Sequence, residues 1–171
     1  MKRREALKVT VGAVVLSALL STNMPTGNAW KPSVCTPDQD AAVVALTGII
    51  IPTTDTPGAK QPGVNRYIDL LLHDGAASER ERIIAGLQWL DDDAAKKNGK
   101  PLAKQTTAEQ TAIVAELDAD GTPDLEKGHQ FFRMAKSMTS RIYYSTAIGY
   151  KELNKGGRVP KTFGCEHFGD A

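Results

Sequence analysis

TPDQDAAVVALTGIIIP, residues 36–52, carries a start signal, an apolar body and a stop signal for one helix. Thr36 and Gln39 stand at the spacing of a capping box, and Pro37 occupies the first helical position, where its missing N–H costs nothing. The run to Ile51 is dense in Ala, Val, Leu and Ile, and Pro52 ends it.

Working outward, the same grammar repeats. Asn65 to Leu72 reads as a short second helix. Ser78 and Glu81 have capping-box spacing and are expected to open a third, with Ile83, Ile84, Leu87, Leu90 and Ala94 on one face and Lys96, Lys97 and Gly99 at its close. A fourth is expected to begin at Thr107, with Gln110 three residues on, and to run through Ile113, Val114 and Leu117. After the polar turn Asp118 to Pro123, a long segment from Asp124 carries Phe131, Phe132, Ala135, Met138 and Ile142 at helical spacing. No stretch alternates with period two, and neither a repeat nor a low-complexity tract is present. The expectation is an all-α protein, a compact single-domain helical bundle.

Two regions stand outside that bundle. Pro52 to Val64 holds three prolines and two glycines, a long stiff loop of the kind that often carries function. Asn154 to Ala171 is an irregular C-terminal tail, glycine-rich with Phe163 and Phe168, that needs something to hold it.

The N-terminus has a different character. Arg3, Arg4, Leu7 and Lys8 fall in the R-R-x-x-L-K pattern of a twin-arginine export signal, and a short, mildly apolar run from Val9 to Leu20 follows. That run is too short to span a bilayer comfortably, which takes about 20 residues. Small residues at Gly27 and Ala29 place the cleavage after Ala29. The expected organisation is therefore a signal at 1–29 and one domain at 30–171, exported to the periplasm. An amphipathic surface helix or an uncleaved anchor is the weaker alternative for the first segment.

The chain has 21 Lys and Arg and 20 Asp and Glu; removing Lys2, Arg3, Arg4, Lys8 and Glu5 leaves 17 against 19. A formal charge of −2 gives no electrostatic case for nucleic acid or an anionic membrane. Two cysteines remain, Cys35 and Cys165, and in an oxidising compartment they are expected to form a disulfide. Closing so long a loop is worth about 4 to 5 kcal/mol in the chain-entropy model.

Catalytic and cofactor motifs are missing. No C-x-x-C-H for haem c, no thiolate set for an iron–sulfur cluster and no G-x-G-x-x-G for a dinucleotide occurs. Cys165, Glu166, His167 and Asp170 offer metal-type ligands, but the disulfide would consume the thiol. Asp118, Asp120 and Gly121 place the glycine wrongly for a calcium loop. His73 and His129 stand alone, and Ser145 has neither a local base nor a glycine elbow. An exported chain with no cofactor of its own is expected to escort one that has.

Partner contact is expected instead. Phe131, Phe132, Tyr143, Tyr144 and Tyr150 are more aromatics than one narrow stripe buries, and tyrosine is enriched at protein interfaces. Tyr143, Tyr144 and Tyr150, with the loop Thr54, Asp55, Thr56, Pro57 and Gly58, are the candidate partner surface. The alternative is that they brace this chain internally.

TGIIIPTTDTPGAK (47–60), Gly63-Val64 and Tyr67 to Leu72 resemble the signature of the gluconate 2-dehydrogenase subunit 3 family. Gly86-Leu87, Leu90-Asp91, Phe131 to Arg133, Tyr143 to Gly149 and Gly164-Cys165 resemble its later blocks. Where family members more often carry Thr-Ser-Glu, this chain has Ser145, Thr146 and Ala147. The resemblance implies a small, noncatalytic accessory subunit of a periplasmic, membrane-associated sugar, sugar-acid or glucoside dehydrogenase. It implies a large flavoprotein partner of the glucose-methanol-choline type that carries FAD, and a cytochrome c subunit with haem c. The small subunit would supply the signal that takes the loaded flavoprotein through the twin-arginine translocase. A self-sufficient exported ligand-binding protein, or an enzyme of unfamiliar type, is the rival reading.

Overall fold

A computed structural model describes residues 30–119 and 125–155. Its compact unit begins at Pro32. Six α-helices make up the described residues, without a strand: α1 Pro37–Ile50, α2 Val64–Asp74, α3 Ala77–Asn98, α4 Thr107–Asp118, α5 Glu126–Ser145 and α6 Ala147–Leu153. The fold is all-α, as the periodicity predicts. No helix among the described residues is long and apolar enough to cross a membrane.

Helix α1 sits at the centre, packed against α2, α3, α4 and α5 and against the short 3-10 turn Leu102–Lys104. Its composition explains the position: a helix apolar on most sides gains only when neighbours cover most sides. Ala42, Val43, Ala45 and Leu46 are buried along it. Its start is as expected, since the Thr36 hydroxyl accepts from Gln39 N and the Gln39 side chain accepts from Thr36 N.

Two helix starts differ from expectation. Ser78 does not cap α3; the helix begins at Ala77 behind Ala76, with no side-chain cap, so the Ser78–Glu81 box does not form. The fourth helix does begin at Thr107, but its capping box lies one residue earlier. Thr106 and Glu109 make both reciprocal bonds, because Thr106 is the residue with extended backbone (ψ 156°). The sequence reading also lacked α6. Thr146 turns the chain out of α5 with an extended backbone, its hydroxyl accepts from Gly149 N, and a new helix starts.

Close approach sets the α3–α5 seam. A Cβ on Gly86 would stand 2.0 Å from the Phe131 ring, and one on Gly128 would stand 2.2 Å from the Trp89 ring. Aromatics of one helix thus lie on glycines of the other, at interior packing density. At the far end of α3, Gly99 takes the left-handed conformation (φ 72°) that closes a helix. The turn beyond it is pinned by Gln105, whose amide donates to Ala94 O and Lys100 O, and by Asp91, which accepts from Leu102 N.

The Pro/Gly loop is folded on itself. Ala59 N donates to Ile51 O at 2.9 Å, Gly58 N to the Thr53 hydroxyl and Thr54 N to Thr56 O, and Ala59 is fully buried. Gly58 is required there, since a Cβ would lie 2.6–2.7 Å from the backbone of Ile51, Pro52 and Thr53.

Candidate partner-binding surface

Helix α2 is the element whose surface the chain does not use up. Its apolar residues, Val64, Tyr67, Ile68, Leu70, Leu71 and Leu72, spread over roughly 200° of the helix circumference at 3.6 residues per turn. Only half of that arc is covered. Val64, Ile68 and Leu72 are buried against the core, whereas Tyr67, Leu70 and Leu71 are 48, 49 and 46% exposed. Three of the five large exposed hydrophobic residues among those described therefore lie on one short helix.

Polar contacts hold this helix in place at its middle and its end. Asp69 is buried, and its carboxylate accepts the successive backbone N–H groups of Ser33 (2.6 Å), Val34 (3.0 Å) and Cys35 (2.9 Å). Burial alone would raise the Asp69 carboxyl. The N–H groups of Cys35, Ser33 and Val34, joined by the Cys35 thiol, outweigh it and hold the group below the usual carboxylate range. The same neighbourhood acts oppositely on Cys35, where burial first and the Asp69 charge second push the thiol up to about 12. At the end of α2, Arg80 donates to the carbonyls of Leu72 (2.7 Å) and His73 (2.9 Å), which have no partner within the helix.

Beside the exposed face runs a groove of about 380 Å³ between α2 and the last turn of α5. Tyr67, Leu70, Leu71 and Asp74 form one wall, Arg141, Ile142 and Ser145 the other, with Thr146 at the α5–α6 corner. A second open groove, about 430 Å³, lies on the α3–α5 seam beside Ala85, Trp89 and Met134, with Arg82 and Lys127 at its edge.

The structure sorts the expected partner residues. Tyr143 is a correction: it is only 2% exposed, and its hydroxyl donates to Pro57 O, so it braces the loop instead of facing outward. Its position on α5 turns it toward the loop while the next residue turns away. Tyr144 is 44% exposed and meets the Tyr143 ring edge-on at 5.1 Å. Tyr150 is half-buried. Within the loop, Thr54 and Asp55 are exposed, Thr56 and Pro57 are half-buried, and Gly58 is buried. The loop and the α5–α6 corner are thus brought together through Pro57 and Tyr143.

Arg3, Arg4, Leu7, Lys8 and Ala29 lie outside the described residues, as do Cys165, Glu166, His167, Asp170, Asp120 and Gly121. The proposed partner of Cys35 is therefore not described, and Cys35 itself is buried. Among the described residues no three His, Cys, Asp or Glu side chains gather as a metal site would need. His129 is buried with Nδ1 3.0 Å from Leu117 O, and His73 is exposed beside Asp74. Ser145 donates back to Arg141 O in its own helix.

Sequence reasoning missed Tyr67, Leu70, Leu71 and the anchoring role of Asp69. A signal was there for both: an apolar arc twice the width one core face needs, and an acid, Asp69, just beyond the Leu72 edge of that arc.

No curated protein and no solved structure matches the chain. The model of a family described as gluconate 2-dehydrogenase subunit 3 matches residues 37–157, from the first turn of α1 to just beyond α6. With most of its length inside that match, this chain belongs to the gluconate 2-dehydrogenase subunit 3 family.

Proposed function

We propose that this chain is a noncatalytic accessory subunit of a periplasmic FAD-dependent dehydrogenase acting on a sugar, a sugar acid or a glucoside. The observation that carries the reading is the family match across residues 37–157, which places the chain among subunits of a multi-subunit dehydrogenase. The exposed half of α2 supports it, because a helix apolar beyond what its own core covers is a recognition surface.

In this reading Arg3, Arg4, Leu7 and Lys8 address the chain to the twin-arginine translocase, and the segment ending at Ala29 is removed. The folded flavoprotein, with FAD already bound, travels with it, and the two remain together in the periplasm. Electrons leave through a membrane cytochrome carrying haem c, which associates the complex with the membrane. Cys35 and Cys165 join in that oxidising compartment. The small subunit binds no cofactor itself. The rival, a ligand-binding protein with a closed pocket, is less favoured: the apolar space enclosed by Val43, Leu46, Leu87, Met138 and Thr139 is about 20 Å³, room for a water molecule only.

The experiment is co-expression of the C-terminally tagged chain with the flavoprotein gene beside its own, followed by affinity purification from periplasm. A stoichiometric complex with flavin absorbance, absent from periplasm when Arg3 and Arg4 are both replaced by Lys, is the expected result. A colourless lone chain rejects the subunit reading.

A further inference from the structure

We infer that the core of this chain has a built site for one water molecule, which bridges the Thr47 hydroxyl on α1 to the Thr139 hydroxyl on α5. The site belongs to the chain itself and holds whatever partner the chain meets.

Thr139 is fully buried, and its hydroxyl has no hydrogen-bond partner among the described residues. Buried hydroxyls are nearly always paired, because an unpaired one gives up its hydration and gains nothing in exchange. Within a helix the usual remedy is the carbonyl one turn back. Thr47 takes it, donating to Val43 O at 2.8 Å, as Thr111 does to Thr107 O and Ser145 to Arg141 O. Thr139 does not.

The space beside Thr139 offers another remedy. A cavity of about 20 Å³ lies between α1, α2, α3 and α5, lined by Thr47, Thr139 and apolar side chains that include Leu46, Leu87, Phe131 and Met138. Every residue that lines it is buried. One water needs about 10–15 Å³ of such space and at least two polar partners, and a cavity with apolar walls alone stays dry. Two threonines make this one different. Thr47 is 2% exposed and places its hydroxyl proton on Val43 O, so its oxygen remains an acceptor. A water that donates to Thr47 and pairs with Thr139 satisfies the group that the chain by itself leaves unpaired. Nothing larger fits the volume.

The bridge falls where α1 gives way to the Pro/Gly loop. Thr47 O accepts from Ile51 N at the end of α1, and Thr139 stands one turn before Tyr143, whose hydroxyl donates to Pro57 O. Helix α5 thus holds the end of α1 through the water and the loop that follows through Tyr143. Apolar packing tolerates small slips between helices, whereas a bridge between two buried hydroxyls is satisfied in one register.

The test is a high-resolution crystal structure of the full chain and of its Thr139→Val and Thr139→Ser variants. Magnetisation transfer from water to the threonine methyls in solution is a second measurement, and it needs no variant. The expected result is a single density peak about 2.6–3.0 Å from both hydroxyl oxygens, with transfer from a long-lived water to the methyls of Thr47 and Thr139. Thr139→Val keeps the shape and removes the hydroxyl, so the peak should vanish; Thr139→Ser keeps the hydroxyl and should retain it. A Thr139 hydroxyl found donating to Ala135 O, with no peak beside it, overturns the inference. So does a peak that touches only one of the two hydroxyls, a peak that persists in Thr139→Val, or wild-type protein in which neither methyl receives magnetisation from water.

Discussion

The α3–α5 seam and helix α2 are built on opposite principles. In the seam, Phe131 lies on Gly86 and Trp89 on Gly128, so the two long helices approach until a Cβ at either glycine would overlap a ring. Helix α2 adds polar bonds to the packing of Val64, Ile68 and Leu72, from Asp69 to residues 33–35 and from Arg80 to Leu72 and His73, and keeps half of its apolar arc uncovered. The seam uses its hydrophobic surface for stability. Helix α2 leaves Tyr67, Leu70 and Leu71 about half exposed.

The strongest way to break the contrast is Gly86→Val. The new side chain overlaps the buried Phe131 ring, and a drop of about 3 kcal/mol in unfolding free energy, read from urea denaturation, is expected. A neutral result would mean that the seam is looser than its geometry states.

Asp69→Asn comes next, with a loss of about 2 kcal/mol at neutral pH, because a neutral amide oxygen replaces a charged acceptor for three N–H groups. The pH dependence sharpens it. The folded carboxyl titrates below its ordinary value of 3.8, so its contribution is complete above that value and is lost as pH falls through the lower folded one. Urea midpoints of wild type and variant should stay a constant distance apart above about pH 5 and converge in stronger acid.

Tyr143→Phe removes only the bond to Pro57 O, between residues 86 apart in sequence. About 1 kcal/mol is expected, with faster hydrogen exchange at Ala59 N as the local sign that the loop has loosened. Leu71→Gln should do least. On the half-exposed face of α2 it should change stability by no more than about 0.5 kcal/mol, measured by thermal unfolding, in contrast to any change at Leu72 on the covered side.

Legibility from sequence followed the range of the interaction. Thr36 with Gln39, Pro52, and Gly99 after Lys96 and Lys97 act on residues at most a turn away, and the structure uses each as expected. Ser78 with Glu81 had the same spacing but no cap forms, since the chain is already helical at Ala77. Thr107 with Gln110 was a near miss against Thr106 with Glu109, a choice between two adjacent threonines that only the backbone angle at Thr106 makes. The partner surface was harder. Tyr143 and Tyr144 are neighbours with the same side chain, and the direction in which α5 faces the loop sends one inward and leaves the other half exposed.

By itself, the sequence determined that this chain is helical, where most of its helices begin and end, and which family its motifs resemble, because caps, periodicity and short motifs are properties of residues close along the chain. Only the tertiary structure decided that Asp69 would hold residues 33–35, that Pro57 would meet Tyr143, and that Tyr67, Leu70 and Leu71 would be the half of α2 left uncovered. A 200° apolar arc states that a helix has more hydrophobic surface than one face can hide; which part stays in water depends on where the other helices pack.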